Sequence, residues 1–208
     1  MLVTKNLKFA YDEAAALNFP DWEVASGDHA LILGPSGCGK TTLLHLLSGL
    51  LRPTSGSVVI EGTHLEALSS SALDRYRGQH IGFVFQKPHL IGSLTVEENI
   101  RLATFFGHKP KRNKEINQVL EDLQIRDLAH RKVYEVSQGQ AQRVAIARSV
   151  INQPAVIFGD EPTASLDDES CTAVVRLLKS QAEACGATLI IATHDHRVKS
   201  EFPNQLTL

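Results

Sequence analysis

The chain has 208 residues, 43% of them apolar, and its 21 Lys and Arg against 23 Asp and Glu leave a formal net charge of −2. That length suits one large domain, or one domain with an insertion, and the apolar share is enough to bury a substantial core. The balanced charge carries no footprint for nucleic acid, no run approaches the roughly 18 consecutive apolar residues of a membrane span, and "MLVTKNLKFAYDE" lacks the layout of a signal peptide, so a cytosolic protein is expected.

In chain order, residues 1 to about 40 and again 57–60 read as short strands with turns, a small antiparallel sheet. Within that span "HALILG" (29–34) is apolar enough for a strand buried on both faces. It runs into "GPSGCGKTT" (34–42), which opens a helical pattern, "KTTLLHLLSGL" (40–50). The match to G-x-x-x-x-G-K-[ST], in a strand–loop–helix setting, is a P-loop. Gly34, Gly37 and Gly39 let backbone N–H groups turn inward around a phosphate, with Pro35, Ser36 and Cys38 between them, and the helix dipole adds positive potential. Lys40 would neutralise β- and γ-phosphates, and the hydroxyl of Thr41, followed by Thr42, would ligate Mg²⁺.

"IGFVF" (81–85) reads as the next buried strand. Residues 88 to about 150 contain no convincing strand but three helical patterns, at 95–106, 112–123 and 138–151, which reads as a helical subdomain inserted into an α/β core. "TVEE" (95–98) has capping-box spacing. The basic run "HKPKRNK" (108–114) reads as a solvated turn before a helix. "EVSQGQAQR" (135–143) is too polar for a core and too neutral for a charged face; Ser137 would cap the helix that follows, whose first N–H groups then point at something outside it.

"AVIFG" (155–159) is a further buried strand, ending in the adjacent carboxylates Asp160 and Glu161. Such a pair also suits a solvated turn, but beside a P-loop it suits a metal and a water, because open α/β sheets bind ligands at the carboxyl ends of their strands. A helix at 170–185 and the strand "TLIIAT" (188–193) complete the alternation, so the fold class is α/β with a mainly parallel sheet. Cys38, Cys171 and Cys185 have neither an even count nor metal-site spacing and are expected as free thiols, Cys38 in the glycine-rich loop.

Together, "GPSGCGKTT", "VSQGQAQRVAIAR" (136–148), "VIFGDEPTASLD" (156–167) and "ATHD" (192–195) resemble the nucleotide-binding subunit of an ABC transporter, in the family's order and over nearly the whole chain. The resemblance implies a single ATPase domain over residues 1–208, with ATP as substrate and Mg²⁺ as cofactor. It implies that two copies pair head to tail, Ser137, Gly139 and Gln140 of one meeting the γ-phosphate held by the other. Tyr11 fits the aromatic that stacks on adenine, although a lone tyrosine also suits ordinary packing. Asp160 fits the water-mediated Mg²⁺ ligand, Glu161 the residue that orients or deprotonates the attacking water, and His194 the switch histidine at the γ-phosphate. Gln86 fits the glutamine that reaches Mg²⁺ and water, and Asp167 the loop between the subunits; taken alone, Gln86 also suits a surface role and His194 a structural one. Gln138 departs from the family, where a glycine is usual.

The wording of "RYRGQHIGFVFQKPHLIGSLTVEENI" (75–100) is most similar to the branch serving lipoprotein release, macrolide efflux and cell division. The resemblance then implies integral membrane permease subunits as partners, contacted through the helical subdomain, a peripheral place at the inner face of the cell membrane, and no nucleic acid. An importer subunit shares the chemistry. A soluble ABC ATPase acting on DNA or ribosomes is opposed by the acidic balance and the single P-loop, and a nonhydrolysing regulator by the presence of Glu161 and His194.

Overall fold

The computed structural model describes residues 1–11, 16–109, 112–164 and 166–208. The chain opens with β1 (Leu2–Phe9), β2 (Leu17–Asn18) and β3 (Trp22–Val24), after which β4 (His29–Leu33) leads to α1 (Lys40–Leu47). Next come β5 (Ser55–Ile60), β6 (Thr63–His64), α2 (Ser70–His80) and β7 (Ile81–Val84). Three helices, α3 (Val96–Phe106), α4 (Asn113–Asp122) and α5 (Gln138–Val150), separate β7 from β8 (Val156–Asp160). The chain closes with α6 (Asp168–Cys185), β9 (Thr188–Thr193) and β10 (Asn204–Thr207).

Two sheets result. The antiparallel one has the order β2-β1-β5-β6, with β3 also on β1; the other, β10-β4-β9-β8-β7, is parallel at every pairing. β4 thus belongs to the parallel sheet although it falls within the first forty residues, as its burial on both faces requires. Side chains alternate across that sheet. Ala30, Ile32, Phe158 and Ile190 pack with α1 and the antiparallel sheet, while Leu31, Ile157, Leu189 and Ile191 pack with α5, α6 and the inserted helices. The insertion therefore has no core of its own, since Ile100, Ile116, Leu120 and Val144 share one cluster with the sheet.

The three helices expected in the insertion form at the expected places, and α3 and α5 start on a side-chain cap. Thr95 and Glu98 complete the capping box of α3, and Asp167 caps α6 by accepting from Ser170 N at 2.8 Å. The basic run at 108–114 includes residues 110 and 111, which lie outside the described residues. Three elements have no counterpart in the sequence reading, α2, β6 and β10. α2 buries only Leu73, and β10 is a polar edge strand, so neither carries a full apolar period. Among the described residues no helix is long and apolar enough to cross a membrane.

Candidate functional site

The site lies at the carboxyl ends of β4, β8 and β9, where the parallel sheet gives way to loops. After β4 the chain turns through residues 34–39 into α1. Gly39, the residue before the helix, has φ 104°, a left-handed conformation that glycine adopts without a steric penalty. A side chain at Gly34 would meet Cys38 Sγ at 2.5 Å and Leu208 O at 2.9 Å, so the loop closes on itself only because none is there. Lys40 is buried; its Nζ donates to Gly34 O at 2.9 Å and Pro35 O at 3.1 Å and lies 3.6 Å from Glu161 Oε1. Tyr11 sits at the mouth of the loop, half exposed, its hydroxyl 3.2 Å from Thr42 Oγ1 and its ring edge-on to Phe9 with centroids 4.6 Å apart. Tyr11, Ser36, Gly37, Lys40, Thr41 and Glu161 line a cleft of about 470 Å³, within the range of small-molecule sites.

Thr41 Oγ1 donates to Asp160 Oδ1 at 3.0 Å. Asp160 is 8% exposed, and burial raises its pKa above the ordinary carboxylate value, with the Thr41 hydrogen bond opposing the shift. This pair fits Mg²⁺: the donors are hard oxygens, and a divalent cation would offset the cost of a buried carboxylate anion. Glu161, next in the chain, has φ 47°, a strained backbone for a side chain of its size. That turn brings its carboxylate to three donors from the end of β9. Thr193 Oγ1 donates to Oε2 at 2.8 Å, His194 N to Oε1 at 3.2 Å, and His194 Nδ1 lies 2.8 Å from Oε1 and donates when protonated. Lys40, Glu161 and His194 are thus brought together as the sequence led one to expect. Thr193 had drawn no attention there, although it is fully buried and also accepts from Asp195 N at 3.0 Å.

Ser137 caps α5 in a reciprocal capping box: its Oγ accepts from Gln140 N at 3.3 Å, and Gln140 Oε1 accepts from Ser137 N at 2.9 Å. Gln138 is the first helical residue and leaves the helix start regular. The backbone N–H groups of Gln138 and Gly139 fall in the first turn, where an α-helix supplies no internal acceptor. Among the described residues, those lining the P-loop cleft include none from α5. Gln138 and Gly139 instead line a separate cavity with Gln86, which follows β7, while Gln86 also borders Glu161 and His194. Gln86 therefore lies between the helix start and the carboxylate.

Cys38 is half-buried in the loop, and burial raises the thiol pKa of Cys171 and Cys185; all three are free.

A family model described as "ABC transporter" matches residues 17–164. The chain belongs to the ABC transporter family. Among its ABC relatives, an "Uncharacterized ABC transporter ATP-binding protein" of Thermotoga maritima is 39% identical over 188 residues, covering 89% of this chain and 80% of the relative. The "Lipoprotein-releasing system ATP-binding protein LolD" of Bacteroides fragilis is 35% identical over 197 residues, covering 94% and 91%. In three dimensions the chain is similar to the ATP-binding cassette MJ0796, solved as a dimer in a post-hydrolysis state bound to ADP and Pi, with a TM-score of 0.89 and 32% identity over 100% of this chain and 94% of that one. The likeness spans the inserted helices as well as the P-loop core, so the ABC cassette fold holds over the whole length.

Proposed function

We propose that two copies of this ABC ATPase close head to tail on ATP, each P-loop holding a triphosphate and each α5 start meeting the γ-phosphate held by the other copy. One observation carries the reading: Lys40 and Glu161 converge on a cleft that takes no residue from α5 of the same chain, while α5 presents a capped, donor-rich start. A second copy supplies what the first lacks. The dimeric relative MJ0796 supports this arrangement.

In this reading the backbone N–H groups of residues 36–42 cradle the phosphates, and Tyr11 stacks on adenine. Lys40 exchanges the Gly34 and Pro35 carbonyls for β- and γ-phosphate oxygens. Thr41, Asp160 and Gln86 would hold Mg²⁺, which when bound would offset phosphate charge. Glu161 aligns the attacking water and takes its proton, and His194 fixes the orientation of that carboxylate through the 2.8 Å contact at Nδ1. Ser137, Gly139 and Gln140 supply the donors from the other copy. Residues 1–208 act as one ATPase domain, with Asp167 near the approaching copy and the α3–α5 region near Gln86 meeting an integral membrane partner at the inner face of the membrane. The LolD relatives, one of them 37% and one 35% identical, support the lipoprotein-release branch, in which hydrolysis drives work by the membrane partner.

Glu161→Gln tests the reading. It should bind ATP and accumulate an ATP-bound dimer by size-exclusion chromatography with light scattering, while phosphate release falls about 10²- to 10⁴-fold. Unchanged turnover would remove Glu161 from its role.

A further inference from the structure

Beyond the groups that face the cleft, one side chain ties the site to the start of α6. Arg197 lies in the short helical turn after β9. Its Nε donates to Asp195 Oδ1 at 2.9 Å and Oδ2 at 3.0 Å, and its Nη2 to Asp195 Oδ2 at 2.7 Å. From the same fork, Nη1 donates to Asp168 Oδ1 at 2.5 Å and to Leu166 O at 3.2 Å. Asp195 in turn accepts from Thr163 Oγ1 at 3.3 Å, and its N–H donates to Thr193 Oγ1, the hydroxyl that holds Glu161. A continuous path of hydrogen bonds therefore runs from Leu166 and Asp168 through Arg197, Asp195 and Thr193 to Glu161.

We propose that Arg197 is a positioning residue for ATP hydrolysis, locking the Leu166–Asp168 segment and the Thr193–Asp195 turn into one unit so that displacement of the first moves the Glu161–His194 pair. The inference rests on the reading that this pair hydrolyses ATP. A solitary exposed ion pair would hold little. Here a planar fork engages two carboxylates and a carbonyl at once, which fixes direction as well as distance. Lysine, a point charge on a flexible stem, can reach Asp195 but cannot span all three acceptors. The segment that Arg197 grips contains Asp167, beside the approaching copy in the proposed dimer, so arrival of that copy is transmitted to the carboxylate that handles water.

The test compares wild type, Arg197→Ala, Arg197→Lys and Glu161→Gln as full-length chains, in steady-state phosphate release against ATP concentration with magnesium. Arg197→Ala should lose about 10-fold in kcat, the size of a small misplacement of a reacting group, with KM for ATP and the unfolding midpoint close to wild type. Arg197→Lys should recover part of that loss. Should Arg197→Ala fold poorly, Arg197→Lys and Asp168→Asn, singly and combined, give a cycle whose effects on kcat are expected to be non-additive. Wild-type kcat in Arg197→Ala, or kcat and KM worsening in step with a lowered midpoint, overturns the positioning role. Additive effects in the cycle do the same. If Glu161→Gln keeps its turnover, the functional reading itself fails; if Glu161→Gln is silent while Arg197→Ala is fully active, only the inference about Arg197 fails.

Discussion

Thr193→Val removes one hydroxyl from a fully buried position while keeping the side chain's shape, and that hydroxyl makes two hydrogen bonds. It donates to Glu161 Oε2 at 2.8 Å, a bond to a carboxylate, and bonds to charged groups contribute about 1.5–3 kcal/mol. It also accepts from Asp195 N at 3.0 Å, and a buried N–H left without an acceptor costs about 1–3 kcal/mol. One rearrangement relieves part of both losses, so the expected net destabilisation is about 3 kcal/mol, or about 6–12 °C in the unfolding midpoint of a chain this long. Thr193→Ser is the control: it keeps the hydroxyl and gives up one buried methyl, about 1 kcal/mol. Equilibrium denaturation of both variants measures the difference, and phosphate release at saturating ATP should fall in the valine variant far more than in the serine one. A valine variant as stable as wild type, or a serine variant equally damaged, would refute the assignment of the hydroxyl as the link between Glu161 and the turn at Asp195.

Two further expectations follow from the same geometry. Because burial raises the pKa of Asp160 in the folded chain, its anion is penalised above that folded value and the penalty vanishes below the unfolded one, about 4. Asp160→Asn should therefore be more stable than wild type at pH 7, with the gap closing as pH falls, and yet be inactive; midpoints measured across pH 4–8 that run parallel would contradict this. Ser137→Ala removes the cap of α5 and should cost about 1 kcal/mol, or about 3 °C. If that helix start meets a phosphate in trans, turnover should fall at least about tenfold, and full activity in a slightly less stable variant would count against it.

The parallel sheet was legible because strands buried on both faces read as unbroken apolar runs, and the glycine-rich loop because its spacing follows from phosphate geometry. The helix starts at Thr95 and Ser137 were legible from their caps. α2 was not. Its sequence "SSALDRYRGQH" turns only Leu73 fully inward, and it is held by the Ser69 cap and by Tyr76 Oη donating to Ile60 O at 2.9 Å, contacts that leave no period to read. β10 escaped for a related reason: "NQLT" earns its place by pairing with β4, and no residue in it is fully buried. Within the site, Tyr11, Lys40, Thr41 and Glu161, which line the P-loop cleft, could be named in advance. Thr193 and Arg197 could not, because a hydroxyl in a strand and an arginine in a polar turn acquire meaning only from the partners that folding brings to them. Gln138, the departure from the family's usual glycine, turns out to be tolerated locally, since it enters α5 at an exposed first-turn position and leaves the cap intact.

The reciprocal bonds between Ser137 and Gln140 hold the tip of α5 ordered within a single chain. Docking such a tip demands no disorder-to-order transition, so little of the association free energy is lost to freezing backbone dihedrals on each closure. Separation likewise leaves nothing to refold. In the proposed head-to-tail dimer, closing and opening would therefore add no local melting of α5 to the cycle.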